Sequence, residues 1–341
     1  MEDKDIFEKE PQWEQSGEIR KIQKTIRRRN WKNVFISVVL AAALLAVSVF
    51  GIIPWAESLY WNPEETSYRD ATDLEITLDA YTELFNPGYS TLWVTDRSTG
   101  FASYELEIQF RSKANGEILS VGGSLERNDL RMDEMHLFPD GKNYPIHKPD
   151  RNDMPPPPSE TEALREKLSS LPEYVRLEAT VSFQELLSME ELVRFMTAAA
   201  MDPVTNNMDI TWVAVDGGVA RCGMSFWGGS SYPLLDLEYR CFSGPAAMNQ
   251  ESLEHHFKSL VLYCADQIEK GRGIPPYGNE GVYTDILEYV EKNGVMTYGV
   301  VVTATPQALL ALMDSEQVYE IRLVDGWIDI GCPDDIFPLS E

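Results

Sequence analysis

The longest apolar stretch in the chain runs from Val34 to Ile53 and contains no charged residue. Twenty residues of α-helix extend about 30 Å, the thickness of a bilayer's hydrocarbon core. A buried core helix would also be apolar, but one of this length without a charge is unusual. A cleaved signal peptide is a second alternative, and it is disfavoured because the run is long and no small-residue cleavage site follows it. The pattern predicts one uncleaved transmembrane helix over 34–53.

The charges on either side of this helix are asymmetric. Residues 1–33 carry nine Lys or Arg residues, seven of them between Arg20 and Lys32. On the other side the first basic residue is Arg69, which follows three glutamates. Positive charge is retained on the cytoplasmic side of a membrane. We therefore expect a single-pass protein of the cell membrane with a cytoplasmic N-terminus and an extracellular C-terminus.

After the apolar run the chain changes to a period of two. β-Branched and aromatic residues alternate with polar ones in four short segments separated by Asn, Gly and Pro turns. The segments are 73–80, 91–96, 103–110 and 117–125. This pattern predicts an extracellular β-rich region over 54–138 built on a small antiparallel sheet.

Prolines then dominate, with a run of four at 155–158. Consecutive prolines favour a stiff, extended segment. Such a segment is a linker or a ligand for a proline-binding domain, and most domains of that kind are cytosolic. Residues 139–170 are therefore interpreted as a Pro-rich linker with a short helix.

Residues 171–341 mix strands and helices. Ser188 and Glu191 form a capping box that begins a helix, and Thr305 followed by Pro306 begins another. Strand, helix and strand at 174–183, 188–200 and 209–215 are repeated at 295–304, 306–313 and 318–324, with helical segments 249–270 and 285–293 between. Chance similarity of two strand–helix–strand pieces is the alternative. The predicted fold is an α+β ectodomain after a single transmembrane helix: an antiparallel sheet region, then two β-α-β units around a helical insert.

Composition limits the function classes. The chain of 341 residues has 43% hydrophobic and 25% charged residues, as globular proteins do. It holds 55 acidic and 29 basic residues, a net charge of −26. Binding to phosphate backbones needs the opposite balance, so we expect no direct contact with nucleic acid.

Candidate chemistry is sparse. Cys222, Cys241, Cys264 and Cys332 are too widely spaced for a zinc knuckle or a redox motif. They are buried thiols, or two of them form a disulfide such as Cys222–Cys241. The four histidines form no ligand set, and no nucleophile or phosphate-loop motif is complete. We therefore predict no catalytic residue, no metal, no cofactor and no small-molecule substrate; the protein is expected not to be an enzyme.

The N-terminal arm, residues 1–33, offers a binding surface. Ile19, Ile22 and Ile26 form one apolar stripe of a basic helix, and Phe7 and Trp13 add aromatic side chains. One interpretation is a basic juxtamembrane helix that touches anionic lipid. The other is a helix that docks in a groove of a cytosolic protein, with these five residues as partner-binding residues.

Several segments resemble the sigma factor regulator family, membrane-bound anti-sigma factors of Gram-positive bacteria. The resemblance covers 21–33 and 80–94, within an N-terminal module of about 16–95, and then 178–196, 209–218 and 298–325 in a C-terminal module over 171–341. It implies a protein that sequesters a cytosolic sigma factor through its arm and responds to envelope conditions through its ectodomain. The alternatives are an exported, membrane-anchored ligand-binding sensor without a sigma partner and an anchored extracellular enzyme.

Overall fold

The computed structural model describes residues 17–68, 71–132, 143–149, 158–218, 220–226, 249–272 and 280–328. The chain divides into two compact units, Met1–Tyr60 and Trp61–Glu341. Phe7, Trp13, Cys241, Cys332 and prolines 155–157 lie outside the described residues, so the predictions made for them are not tested by the structure.

The first unit is helical. Helix α1 (Gly17–Val47) continues through a π-helical turn at Ser48–Ile52 into the short helix α2 (Ile53–Glu57). Within Arg20–Glu57 the mean hydropathy reaches 2.8, and no part of that apolar window is buried. This is the one helix in the described part of the chain that is long and apolar enough to cross a membrane, as the charge-free run predicts.

The second unit contains eleven strands and six α-helices among its described residues. The strands are β1 (Thr66–Tyr68), β2 (Ala71–Thr72), β3 (Tyr89–Gly100), β4 (Ser103–Ser112), β5 (Ile118–Glu126), β6 (Asp129–Met132), β7 (Val175–Ser188), β8 (Met208–Gly217), β9 (Ala220–Met224), β10 (Met296–Ala304) and β11 (Val318–Ile328). The helices are α3 (Asp73–Phe85), α4 (Pro158–Ser170), α5 (Met189–Met201), α6 (Gln250–Glu269), α7 (Glu280–Asn293) and α8 (Pro306–Met313).

One predicted strand is wrong. Segment 73–80 forms the first two turns of α3, because Thr72 and Glu75 make a reciprocal capping box. The Thr72 side chain accepts from the Glu75 amide, while the Glu75 carboxylate accepts from the Thr72 amide at 2.9 Å. Leu74, Leu78 and Tyr81 are then buried at helical spacing. The alternation that suggested a strand spans only four apolar residues, which is too few to distinguish a period of two from a helical face.

The remaining strands form two larger antiparallel sheets. β3, β4, β5 and β6 make a four-stranded meander in sequence order. The second sheet has the order β11-β7-β10-β8-β9, and every pair of neighbours is antiparallel. The predicted units β7-α5-β8 and β10-α8-β11 are both present. They interleave in the sheet, because one strand of each unit lies between the two strands of the other. This is the split β-α-β arrangement, with β9, α6 and α7 inserted between the units.

The five-stranded sheet is covered on both faces. On one side the hydrophobic core contains side chains from α3, α5, α6, α7 and α8 together with residues of the four-stranded sheet. On the other side a smaller cluster contains Tyr144 and Ile146 packed with Trp212, Tyr298 and Val301. Tyr144 and Ile146 belong to an extended segment, residues 143–149, which we call the strap.

Candidate functional site: the arm helix and the ectodomain junction

Residues 17–33 of the N-terminal arm form the first turns of α1, which continues without a break into the apolar run. Ile22 and Ile26 are one turn apart, and their side chains are 58% and 54% exposed. The basic residues of this stretch, such as Lys24 and Arg28, are exposed as well. Ile19 lies in the same helix, although its side chain is outside what the structure describes. Two of the five predicted partner-binding side chains are therefore seen on one exposed helical face.

In the second unit, Glu83 near the end of α3 is hydrogen-bonded to three other parts of the fold. Glu83 is 7% exposed, and its Oε1 lies 2.7 Å from Nε2 of His256 in α6. The Ser225 amide, just after β9, donates to the same oxygen at 2.9 Å. The indole Nε1 of Trp212 in β8 donates to the Glu83 carbonyl oxygen at 2.8 Å. A buried carboxylate needs such partners, because desolvation of an isolated charge is very costly.

A lysine lies close to this carboxylate. The Lys113 chain is partly exposed, but its ammonium nitrogen is buried and makes no hydrogen bond among the described residues. Burial lowers the pKa of Lys113 to about 8, although the negative charges of Glu83, Asp79 and Glu178 act in the opposite direction. The cluster of Glu83, His256, Ser225 and Lys113, which we call the junction, therefore contains a cation whose charge is lost close to neutral pH.

The strap is attached to β7 by a row of polar side chains. Tyr144 donates its hydroxyl to Glu178 Oε1 at 3.1 Å, and Thr180 donates to the Pro145 carbonyl at 2.8 Å. The His147 amide donates to Ser182 Oγ at 2.9 Å. Residues 178, 180 and 182 point to the same face of β7 because side chains alternate along a strand. This buried polar row positions the strap residue by residue.

Two glycines allow the strap to lie close to the rest of the unit. A Cβ atom on Gly88 would lie 1.9 Å from the Tyr144 hydroxyl oxygen. A Cβ atom on Gly299 in β10 would lie 2.4 Å from Ile146 Cγ2. Both distances are well below van der Waals contact. Only glycine at these positions accommodates the strap as it is placed.

The far end of the strap is held by an ion pair. Lys148 Nζ donates to Asp216 Oδ1 at 2.7 Å, and Tyr289 of α7 donates its hydroxyl to Asp216 Oδ2 at 2.9 Å. Asp216 is 2% exposed and also accepts from the Gly218 amide at 3.0 Å. The Asp-Gly that ends the first β-α-β unit therefore serves as an anchor for the strap.

The start of the second unit is fixed by another network. Trp61 is 1% exposed, and its amide donates to Asn128 Oδ1 at 2.8 Å. The Arg272 guanidinium stacks 5.5 Å from the Trp61 ring and pairs with Asp73 at the first turn of α3. Tyr263 of α6 donates its hydroxyl to Asp73 Oδ1 at 3.3 Å. These contacts fix Trp61, the first residue of the second unit.

The remaining candidates for chemistry behave as core residues. Cys222 and Cys264 are free, buried thiols, and burial raises the pKa of both, that of Cys222 to about 12. A thiol with such a pKa is unreactive near neutral pH. The proposed partner Cys241 lies outside the described residues. Across the described ranges no group of three His, Cys, Asp or Glu side chains is arranged to hold a metal ion.

Sequence reasoning did not find Glu83, Lys113 or the strap's anchors. Each is a single polar residue in an ordinary setting, and its partner is distant in sequence: Glu83 and His256 are 173 positions apart. One signal was available, namely Thr72 and Glu75 at capping-box spacing, which would have identified α3 and placed Glu83 near its end.

Comparison with known proteins gives a match for the C-terminal part of the second unit. Residues 168–324 match the family model described as Sigma factor regulator C-terminal. No curated protein and no solved structure matches the chain. The matched range begins within α4 and ends in β11, so it includes both β-α-β units and the helical insert between them.

The match agrees with the resemblance read from segments 178–196, 209–218 and 298–325. The family is regulatory rather than catalytic. Together with the single N-terminal apolar helix, the match supports a membrane-anchored anti-sigma factor in general. Over residues 168–324 the chain thus matches the C-terminal domain of the sigma factor regulator family.

Proposed function

We propose that this protein holds a cytosolic sigma factor at the membrane through its N-terminal arm and releases it in response to the state of the envelope. The arm lies inside the cell and the ectodomain outside, as the positive-inside rule requires for seven basic residues before the span. The observation that carries the proposal is the exposed pair Ile22 and Ile26 on a basic helix next to the apolar run.

Because of its position, the arm is the part of the chain that can affect transcription. With this orientation, residues 1–33 and the inner end of the span are the parts of the chain that a sigma factor can reach. A 33-residue segment buries too little apolar surface to fold by itself. It therefore gains its order and its buried area on a partner, with the isoleucines as anchors in an apolar groove and the basic faces against an acidic rim.

A double substitution tests this binding mode. Ile22→Asp with Ile26→Asp removes two anchors worth about 1.5–3 kcal/mol each, so sigma factor binding should weaken by more than about a hundredfold. Expression of the sigma factor's regulon, measured by a promoter fusion, should rise to the level of a deletion strain. Membrane fractionation should show that insertion is unchanged.

A matched control separates docking from attraction to lipid. Lys24→Gln with Arg28→Gln lowers the arm's charge by the same two units, at the same i, i+4 spacing, on the opposite face of the helix. If the arm only touches anionic lipid, this control should act at least as strongly as the isoleucine variant. Full repression by the isoleucine variant, or failure to recover a sigma factor with residues 1–33 as bait, favours the exported sensor without a sigma partner.

Orientation has its own test. A reporter that is active only outside the cytoplasm, fused after Glu341, should be active, and a reporter that is active only in the cytosol should not. The opposite pattern excludes sequestration by the arm in the cytosol.

A further inference from the structure

Strand β11 forms one edge of the five-stranded sheet. It pairs with β7 on one side, and on its other side no strand among the described residues pairs with it. Between Glu320 and Leu323 its register with β7 is regular, with irregularities on either side of this stretch. An edge of this kind presents unpaired backbone groups to another strand.

A groove of about 380 Å³ runs along this edge. One wall consists of six consecutive β11 residues, 318–323, and the other is formed by α4 with Leu164 and Lys167. Consecutive residues of a strand point to opposite faces, so a groove that all six line follows the strand's open edge. Helix α4 packs on α8, to which Arg165 is tied by a 2.7 Å ion pair with Asp314. The groove thus has the form of sites at which a strand is added to a sheet.

The sequence of β11 is complementary to itself. In an antiparallel pair about a two-fold axis through Ile321, Glu320 of each copy lies directly opposite Arg322 of the other. Glu320 and Arg322 both lie in the stretch over which the register of β11 with β7 is regular. Opposite charges in facing positions stabilise antiparallel strands. We propose that the occupant of this groove is β11 of a second copy of the chain, so that two five-stranded sheets join at this edge.

The two charged side chains contact each other within one chain. Glu320 is buried, and its Oε1 accepts from Arg322 Nε of the same chain at 2.7 Å. Its Oε2 lies 3.6 Å from His147 Nδ1 and makes no hydrogen bond within the described residues. Arg322 is 43% exposed, and a guanidinium has two further nitrogens with which to donate to a carboxylate. Each copy therefore offers an exposed guanidinium at the facing position, and the buried Glu320 carboxylate must turn toward the edge to accept from it.

Membrane anchoring favours this association. Residues 54–341 carry a net charge of −28, so free copies repel one another at long range. Confinement to one membrane raises the effective concentration of the copies, and the complementary pairs at the edge then select this register over others. A dimer carries two arms, so two sigma factors are held by each assembly.

A photo-crosslink in the full chain tests the proposal directly. With Tyr319 replaced by p-benzoylphenylalanine, irradiation of native membranes that contain two differently tagged copies should give a covalent product carrying both tags. The same replacement at Tyr174, an exposed tyrosine that does not line the groove, serves as the control and should give little product. No product at Tyr319, a product with a different protein only, or equal yield at the two positions overturns the proposal.

An exchange of charges tests the register of the two β11 strands. Arg322→Glu places like charges at both facing pairs and should lower the yield about tenfold, whereas Arg194→Glu, the same change on an exposed face of α5, should not. Chains with Arg322→Glu and with Glu320→Lys restore opposite charges only when mixed. The mixed pair should therefore cross-link more than either variant alone. A mixed yield no higher than the separate yields, from chains that resist protease as the parent does, contradicts the Glu320–Arg322 register.

Discussion

Glu83 at the end of α3 and His256 in α6 meet with 2.7 Å between Oε1 and Nε2, although 173 positions separate them in sequence. The same glutamate accepts from the Ser225 amide after β9 and, through its carbonyl, from the Trp212 indole in β8. One residue therefore connects α3, beside the four-stranded sheet, with three elements of the C-terminal part. A substitution of this residue should therefore destabilise both parts of the unit.

We expect Glu83→Leu to lower the free energy of unfolding by about 3–5 kcal/mol, because it leaves buried donors without their acceptor. Thermal unfolding of the full chain in detergent, followed by circular dichroism, measures the loss. Glu166→Leu on an exposed face of α4 is the control, with an expected change within about 0.5 kcal/mol. Adding His256→Leu to Glu83→Leu should recover part of the loss, since an apolar pair can replace a buried polar one. Equal melting of the Glu83 and Glu166 variants would show that the junction does not stabilise the fold.

The strap's placement depends on Gly88. Gly88→Ala would place a methyl group 1.9 Å from the Tyr144 hydroxyl oxygen, so the Tyr144 side chain must shift and its bond to Glu178 must break. We expect a loss of about 1–3 kcal/mol, as for other overpacked sites, together with faster proteolysis within residues 143–149. Gly100→Ala, where a Cβ atom meets nothing within 4 Å, is the matched control. A Gly88→Ala variant as resistant as the control contradicts this placement of the strap.

Lys113 gives stability a pH dependence with a definite sign. Its pKa is lowered to about 8 in the folded protein from the ordinary 10.5, so the unfolded chain binds more protons between these values. The contribution of this group to the free energy of unfolding is therefore fully present above about pH 10.5, and it is lost as the pH falls through about 8. Relative to the Lys113→Met variant, the free energy of unfolding of the parent should rise by about 2 kcal/mol between pH 8 and about pH 9.5.

Urea unfolding at a series of pH values measures this difference. Lys292→Met, at an exposed position of α7, should give a curve parallel to the parent's across the same window. If the Lys113→Met curve also runs parallel to the parent's, the buried ammonium does not titrate as described.

The sequence by itself determined the elements whose signals are local. A charge-free run of twenty residues predicted the apolar helix, because its length and composition alone decide whether it can span a bilayer. Ser188 and Thr305 predicted where α5 and α8 begin, since a cap bonds to an amide only three positions away. The repeated strand–helix–strand order, and with it the α+β class, followed from such signals.

The arrangement of those elements was decided by tertiary structure. Interleaving of β7-α5-β8 with β10-α8-β11 depends on pairing between strands more than a hundred residues apart, which no local pattern encodes. The polar residues Glu178, Thr180 and Ser182 read as the solvent face of a half-buried strand, yet the strap covers them. Glu83 and His256 become partners only because α3 and α6 pack together, and burial then makes their contact matter to stability. In each case the sequence determined the chemistry of a side chain, and tertiary packing determined which residue it contacts.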